Sequence, residues 1–218
     1  MMEWKMVLLF LLAGISAYLI SGLNPAIILS KLIYHDDIRL KGSKNPGFTN
    51  FKRVYGSRCA WYVFVLDILK SVLPCIIFAW LFEHFYGHWQ LGAAYTGLFS
   101  MIGHIFPVWY GFKGGKGFLV EVGAVYVIDW RAGLIATAVF LILLFTLKYM
   151  SLSSICFALV SPIAYAILGP DHWLALVILV ICSILLIARH HANIGRLMKG
   201  TESKFHFGGG KKKETDGK

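Results

Sequence analysis

Hydrophobic residues form long runs along the chain, and short polar segments separate them. A helix needs about 20 apolar residues to cross the hydrocarbon layer of a bilayer, or fewer inside a bundle. The pattern predicts seven transmembrane helices, at residues 6–32, 60–82, 89–109, 118–128, 132–147, 152–168 and 173–188. The fourth is short and contains Glu121, so five spans plus re-entrant pieces is the alternative arrangement. The predicted fold class is an all-α polytopic membrane protein.

The composition agrees with a membrane protein. Of 218 residues, 58% are hydrophobic and only 15% are charged, which is outside the usual range of soluble domains. No linker divides the chain before its C-terminal end. We therefore expect one transmembrane domain over residues 1–202, followed by a basic, disordered cytoplasmic tail over residues 203–218.

The distribution of Lys and Arg predicts the orientation in the membrane. With seven spans, only Lys5 and Arg131 lie on one face, and Lys70 lies within the second span. All other cationic residues lie on the opposite face. Because cytoplasmic loops carry an excess of Lys and Arg, the N-terminus is predicted outside and the C-terminus in the cytoplasm.

Three polar segments, all on the predicted cytoplasmic side, contain the candidate functional residues. The first segment, residues 42–53, includes a strong turn signal at residues 45–47 and several hydrogen-bonding groups close to an arginine. Arginine can hold a phosphate through two parallel hydrogen bonds. An ordinary solvated loop is the alternative. The candidates are Ser43, Asn45, Gly47, Thr49, Asn50 and Arg53.

The second segment, residues 103–117, combines glycines with two lysines. Glycine allows backbone N–H groups to approach an anion, and lysine supplies charge. An ordinary cationic loop is again the alternative, and His104 is either a buried structural histidine or a functional one. The candidates are His104, Lys113, Gly114, Gly115, Lys116 and Gly117.

The third segment, residues 189–202, begins where the last predicted span ends. His190 and Asn193 are three residues apart, so a continuing helix would present both on one face. His191 would point elsewhere. The remaining candidates here are Arg189, Arg196 and Glu202.

Several kinds of chemistry are disfavoured by the sequence. Gly117 stands where a nucleotide-binding Walker loop needs Ser or Thr. There is no Gly-x-Ser-x-Gly elbow, and no histidine is followed five residues later by aspartate. The eleven acidic residues are dispersed, so neither a metal site nor a cofactor is expected. The net charge of +10 flanks apolar spans, which favours contact with lipid or an anionic substrate over nucleic acid.

Two ionisable residues lie within the second span. Asp67 and Lys70 are one helical turn apart, and charges at that depth are costly unless they pair. We expect a structural salt bridge first and a substrate contact second.

The three segments together resemble the bacterial integral-membrane acyl-phosphate:glycerol-3-phosphate acyltransferases. The similarity covers residues 16–202. Family members carry Gly-Ser-x-Asn-Pro-Gly-x-Thr-Asn, matched at residues 42–50, and Gly-His-x-Phe-Pro followed by Phe-Lys-Gly-Gly-Lys-Gly, matched at residues 103–107 and 112–117. Their third motif, Arg-His-x-x-Asn-Ile-x-Arg-Leu-x-x-Gly-Thr-Glu, is matched at residues 189–202.

The resemblance implies the activity and the roles of particular residues. The enzyme would move a fatty acyl group from an acyl phosphate to the 1-hydroxyl of glycerol 3-phosphate, giving lysophosphatidic acid and phosphate. Ser43, Arg53 and Lys116 would handle phosphate, and His190 with Asn193 would position glycerol 3-phosphate. The proton acceptor is His190, His104 or a substrate phosphate oxygen. Lys44 replaces a usual glycine and Phe48 a usual alanine, while residues 118–120 replace Val-Ala-Thr, which leaves the acyl-chain preference open.

Because an acyl phosphate is already activated, we expect direct transfer without an acyl-enzyme. The expected location is the bacterial plasma (inner) membrane, with the site at the cytoplasmic face. Membrane lipids surround the protein, and the enzyme that makes the acyl phosphate is a candidate partner. A transporter for an anionic metabolite and a non-catalytic lipid-binding protein are the rival classes.

Overall fold

The computed structural model describes residues 3–207, and these residues form a bundle of α-helices without β-strands. Two 3₁₀ turns, Ile38–Leu40 and Val108–Tyr110, lie in the connections. The helices are α1 (Glu3–Gly22), α2 (Pro25–Tyr34), α3 (Phe48–Tyr55), α4 (Ser57–Tyr86), α5 (Trp89–Ile105), α6 (Phe118–Ile128), α7 (Trp130–Leu147), α8 (Met150–Ile167), α9 (Trp173–Arg189) and α10 (His191–Met198).

All seven predicted apolar runs are helical, but they are not equivalent. Five continuous segments are long and apolar enough to cross a membrane: Trp4–Tyr34, Ser57–Tyr86, Trp89–Tyr110, Trp130–Leu147 and Met150–Ile167. α9 and α10 form a sixth candidate, bent by 58° at their junction. α6 has 11 residues and is about 16 Å long, about half of the hydrocarbon thickness. The short fourth run is therefore a helix that does not span the membrane by itself.

A break divides the first span. Asn24 ends the α1–α2 connection as the N-cap of α2, because its side chain accepts a hydrogen bond from the N–H of Ile27 at 3.0 Å. Pro25 occupies the first helical position, where a missing N–H costs nothing. The Asn24 side chain also donates to the carbonyl of Pro46 at 3.1 Å. The break thus anchors the first polar segment to the bundle.

The helices α1, α4 and α5 pack closely against one another. A Cβ atom on Gly103 of α5 would lie 2.2 Å from the backbone oxygen of Tyr18 on α1. On Gly92 it would lie 2.7 Å from Phe82 of α4. Small residues at such crossings let the backbones of membrane helices approach. The second polar segment begins at the end of α5 and is therefore held firmly.

α6 begins deep in the bundle. Its first residue, Phe118, stacks on Phe140 of α7 with ring centroids 4.9 Å apart and meets Phe157 of α8 edge to face at 5.6 Å. Phe140 lies seven residues before the end of α7, and Phe157 lies seven residues after the start of α8. At 1.5 Å per residue, the start of α6 lies about 10 Å below those helix ends. The residues just before α6 therefore lie below the ends of α7 and α8.

The first residues of the predicted tail, 203–207, cross the same end of the bundle. The N–H of Phe205 donates to the carbonyl of Lys148 at 2.6 Å, and the ammonium of Lys52 donates to the carbonyl of His206 at 2.8 Å. Phe207 stacks on Phe145 with ring centroids 5.0 Å apart. The rest of the predicted disordered tail, residues 208–218, lies outside the described residues.

Candidate active site

Asn50 organises the first polar segment. Its buried side chain accepts a hydrogen bond from the N–H of Ser43 at 2.8 Å and donates to the carbonyl of Lys41 at 3.0 Å. Gly42 has a φ of +57°, and a Cβ atom there would lie 2.3 Å from the Asn50 side-chain oxygen. Lys44 also has a positive φ, +60°, which explains why glycine suits this position. Asn50 fixes the loop that presents the exposed Ser43 side chain.

The same segment continues into α3, which carries the arginine. Gly47 is the N-cap of α3, and Arg53 lies in its last turn with an exposed side chain. Among the described residues, no hydrogen bond joins Ser43, Asn45 or Thr49 to the second or third segment. A neighbouring residue makes the link instead, since Arg39 donates to the carbonyl of Tyr110 at 3.2 Å.

The glycines of the second segment are required by close packing. The N–H of Gly114 donates to the carbonyl of Ile105, and the N–H of Gly115 donates to the carbonyl of His104, both at 3.1 Å. A Cβ atom on Gly114 would lie 2.0 Å from the His104 oxygen, and one on Gly115 would lie 2.1 Å from His104 Nε2. Contrary to our expectation, these two N–H groups are not available to an anion. The glycines let the loop fold back onto the end of α5.

The remaining residues of this segment differ in exposure. Gly117 has a φ of +93° and caps α6, so it needs the left-handed region that glycine adopts without strain. Lys113 is exposed, whereas the Lys116 side chain is half-buried. Lys116 is therefore the lysine of this segment that packs against the bundle.

The third segment does not continue straight from α9. The chain bends at His190, between the end of α9 and the start of α10. His190 and Asn193 are both buried, and His191 is exposed, so the predicted difference between the two histidines is confirmed. His190 Nδ1 lies 2.9 Å from the carbonyl of Leu186. Since a carbonyl only accepts hydrogen bonds, Nδ1 carries the hydrogen and Nε2 can accept a proton.

A chain of hydrogen bonds connects the second and third segments. The Lys116 ammonium donates to Asn193 Oδ1, and Asn193 Nδ2 donates to Glu202 Oε1 at 2.6 Å. Glu202 Oε1 also accepts a bond from Ser151 Oγ at 2.7 Å, and Glu202 Oε2 accepts one from Arg196 Nε at 2.6 Å. Glu202 thus fixes three side chains from α8 and α10 around Lys116.

The charges around Lys116 are unbalanced. Burial is the main cause that lowers the pKa of Lys116 to about 8. The Glu202 carboxylate opposes this shift, while the positive charges of Arg196, Arg189 and Arg53 act in the same direction as burial. Arg53, Arg189 and Arg196 therefore lie near enough to Lys116 for their charges to act on it, with Glu202 as the nearby carboxylate. Such an arrangement favours the binding of an anion.

Glu202 remains ionised in this setting. Burial alone would raise the pKa of its carboxyl group, but the hydrogen bonds from Asn193, Ser151 and Arg196 outweigh burial and lower the pKa. The ion pair with Arg196 adds to this effect. The carboxylate is therefore a permanent acceptor that orients its neighbours.

A second polar cluster lies beneath the loop. The Lys70 ammonium lies 2.8 Å from Asp67 Oδ1, so the predicted salt bridge is confirmed. It also donates to the carbonyl of Leu23 at 3.2 Å and contacts His104 Nδ1 at 2.8 Å. Asp67, Lys70 and His104 are all buried. The sequence pairing of Asp67 and Lys70 did not reveal their third partner, His104.

Residues that the sequence prediction missed are Asn24 and Ser151. Asn24 was detectable, because Asn-Pro inside an apolar run is a helix N-cap signal. Ser151 carries no such signal, because it is one of several serines at the start of α8. Among residues 3–207, no group of three or more His, Cys, Asp or Glu residues is placed to hold a metal ion.

These features define the class of protein: a helical integral membrane protein with a polar, cation-rich site at one end of the bundle. The glycerol-3-phosphate acyltransferase family model matches residues 11–200. The chain belongs to the glycerol-3-phosphate acyltransferase family.

Individual relatives agree with this assignment. The glycerol-3-phosphate acyltransferase of Finegoldia magna is 39% identical over 199 residues, which cover 90% of this chain and 96% of the relative. That of Lactiplantibacillus plantarum is 36% identical over 195 residues, covering 89% and 91%. The crystal structure of PlsY, an integral membrane glycerol 3-phosphate acyltransferase, in its glycerol 3-phosphate form is similar with a TM-score of 0.82 and 32% identity, covering 90% of this chain and 96% of that chain. The lysophosphatidic acid form has a TM-score of 0.78.

Proposed function

We propose that this protein transfers a fatty acyl group from an acyl phosphate to the 1-hydroxyl of glycerol 3-phosphate. The products are lysophosphatidic acid and inorganic phosphate. The observation that carries the proposal is the contact of Lys116 with Asn193 and, through Glu202, with Arg196, while the charges of Arg53 and Arg189 act on the same ammonium. Both substrates are phosphates, and two anions approach each other only where positive charge offsets their repulsion. The similar crystal structures, of glycerol 3-phosphate and lysophosphatidic acid forms, support the acceptor and the product.

The proposed reaction is a direct transfer. The glycerol hydroxyl oxygen attacks the acyl carbonyl carbon, the bond from that carbon to the phosphate oxygen breaks, and phosphate leaves with the electron pair. The hydroxyl proton passes to an acceptor. Phosphate is a good leaving group, so neither a nucleophilic side chain nor an acyl-enzyme is required.

The residues divide into groups that bind and groups that position. Ser43, Arg53 and Lys116 hold phosphate and stabilise the charge that develops during transfer. His190 and Asn193 position glycerol 3-phosphate, and the free Nε2 of His190 is suited to accept a proton. The remaining candidates are proposed to bind substrate or to hold the binding groups in place: Asn45, Gly47, Thr49, Asn50, His104, Lys113, Gly114, Gly115, Gly117, Arg189, Arg196 and Glu202. Of these, Asn50 and Glu202 already use their side chains to hold neighbouring groups, which favours positioning roles.

The site lies at the cytoplasmic face of the bacterial inner membrane in this proposal. The cation distribution supports an external N-terminus and a cytoplasmic C-terminus. Cysteine labelling of intact cells tests it with single cysteines at exposed Lys113 and exposed Met198. Both positions are expected to be protected from a membrane-impermeant reagent. Labelling of one position but not the other would disprove a shared cytoplasmic site.

The deciding experiment measures phosphate release by the full-length protein in detergent. Palmitoyl phosphate and glycerol 3-phosphate are supplied together, and each is omitted in turn. Release that depends on both is expected, whereas a transporter or a non-catalytic lipid-binding protein gives none. Radiolabelled palmitoyl phosphate without the acceptor tests the direct step, because a trapped acyl-protein would refute it.

A further inference from the structure

The buried Asp67–Lys70 pair has a role beyond its own stability. Both charges lie inside the bundle, where an ion pair costs desolvation energy that an apolar pair of similar volume would avoid. The Lys70 ammonium pairs with Asp67 Oδ1, donates to the carbonyl of Leu23 and contacts His104 Nδ1. Leu23 and His104 lie at the ends of α1 and α5, next to the second polar segment. The pair therefore supports this segment of the site.

The contact with His104 determines how that ring carries its hydrogen. An ammonium group has donors only, so the nitrogen that it contacts at 2.8 Å must be an acceptor, and Asp67 Oδ1 lies 3.6 Å from the same nitrogen, beyond hydrogen-bonding distance. In a neutral imidazole, an accepting Nδ1 leaves the hydrogen on Nε2. His104 is thus a hydrogen-bond donor at Nε2. His190 has the opposite arrangement, with Nδ1 bonded to the Leu186 carbonyl.

The surroundings of His104 Nε2 favour a negatively charged ligand. Nε2 lies directly under Gly115, one residue before Lys116. Within residues 3–207, Nε2 has no hydrogen-bond partner, and neither does the buried Nε of Arg189. The Arg189 guanidinium lies near enough to His104 for its charge to act on the ring. An unused donor therefore lies under the loop, and a cation whose Nε has no partner acts on the same ring.

We propose that Asp67 and Lys70 are positioning residues that hold His104 as an Nε2–H donor toward an anionic oxygen of one phosphate-bearing substrate. His104 then binds substrate and is not the proton acceptor. This inference rests on the proposed function for the identity of the substrate, but the state of the ring does not depend on turnover.

The first test reads the ring directly in the full-length protein. Histidine labelled with ¹⁵N in the ring gives distinct NMR signals for the two neutral tautomers and for the charged ring, and His104→Gln identifies the His104 signals by their loss. The Nε2–H tautomer is expected near neutral pH. An Nδ1–H or charged ring would overturn the proposal, and this measurement needs no turnover.

The second test removes the pair without leaving a lone buried charge. Asp67→Asn/Lys70→Met is expected to raise KM about tenfold for one of the two phosphate substrates, with kcat changed less than about threefold. The matched control is Asp129→Asn/Arg131→Met, which removes an ion pair of 2.7 Å at the opposite end of the bundle and should leave both KM values unchanged. Unchanged KM values in the Asp67/Lys70 variant, or a loss confined to kcat, would contradict positioning.

A third comparison separates donor loss from packing loss. The amide nitrogen of Gln lies near the place of Nε2, whereas that of Asn lies near Nδ1. His104→Gln is therefore expected to bind inorganic phosphate in calorimetry at least tenfold more tightly than His104→Asn, and equal affinities would oppose the proposal. If wild-type protein releases no phosphate from palmitoyl phosphate, the proposed function fails, while the tautomer and phosphate affinities still decide whether His104 is an Nε2–H donor to an anion.

Discussion

Lys116 donates a hydrogen bond to Asn193 although 77 residues separate them in the chain. The lysine comes from the loop before α6, and the asparagine comes from α10. Asn193 is held in turn by Glu202, which Ser151 and Arg196 also contact. The position of the Lys116 ammonium therefore depends on α8, α10 and the loop before α6.

Removal of either proposed phosphate-binding cation should nearly abolish transfer. Lys116→Ala and Arg53→Ala are each expected to lower kcat/KM by about 10²–10³-fold, since each removes a charged donor from the reacting groups. Size-exclusion profiles and thermal unfolding in detergent should stay close to wild type. Lys199→Ala, an exposed lysine of the same end, is the control and should retain activity. If either active-site variant turned over at the wild-type rate, the residue substituted in it would not belong to the site.

Ser151→Ala should weaken the site without unfolding the bundle. The substitution deletes one of two hydrogen bonds to Glu202 Oε1, worth about 1 kcal/mol, or about a fivefold loss in kcat/KM. Ser154→Ala is the matched control, because the Ser154 hydroxyl bonds only to the carbonyl of Met150 within the same helix. Equal effects of the two substitutions would show that Ser151 does not act through Glu202.

The titration of Lys116 should limit activity at alkaline pH. Phosphate binding requires the protonated ammonium, and its pKa is lowered to about 8. The value of kcat/KM is therefore expected to be constant below that pH and to fall about tenfold per pH unit above it. Lys116→Arg keeps a charge that does not titrate in this range, so its residual activity should lack this alkaline limb. The same limb in Lys116→Arg would assign the titration to another group.

Gly115→Ala should disrupt the loop. The added Cβ atom would lie 2.1 Å from His104 Nε2 in a region where the ring is held by Lys70, so the loop that carries Lys116 must shift. We expect a loss of kcat/KM of at least about 100-fold. Gly195→Ala is the control, because its Cβ atom would meet nothing within 4 Å, and alanine should stabilise α10 by about 0.5–1 kcal/mol. Similar losses in both variants would indicate general intolerance of substitution.

Much of the fold was predictable because the apolar runs determine where helices form. The sequence also identified the short fourth run, since Glu121 and its length distinguish it from a complete span. The bend at His190 was not predicted, because neither glycine nor proline marks it. Its position depends on tertiary contacts of α10 with Glu202 and Lys116.

The site was predictable as a set of residues but not as a set of partners. Asp67 and Lys70 could be paired because they are one turn apart on a single helix. His104 could not be added, since its contact with Lys70 joins different helices. The free N–H groups expected at Gly114 and Gly115 are used by the loop itself, because the chain turns back onto α5. Local spacing reveals neighbours on one element, and long-range contacts need the packed bundle.

The low starting point of α6 has a consequence for how the reactants meet. An acyl donor is tethered by its tail and moves in the plane of the leaflet, with its phosphate at the headgroups. Lys116 lies just before α6, whose first residue is about 10 Å below the neighbouring helix ends. In the proposed reaction, glycerol 3-phosphate therefore enters the protein from the aqueous phase, whereas the acyl phosphate enters laterally from the bilayer. Crowding of the leaflet would then affect the binding rate of the acyl phosphate, and viscosity of the aqueous phase would separately affect that of glycerol 3-phosphate.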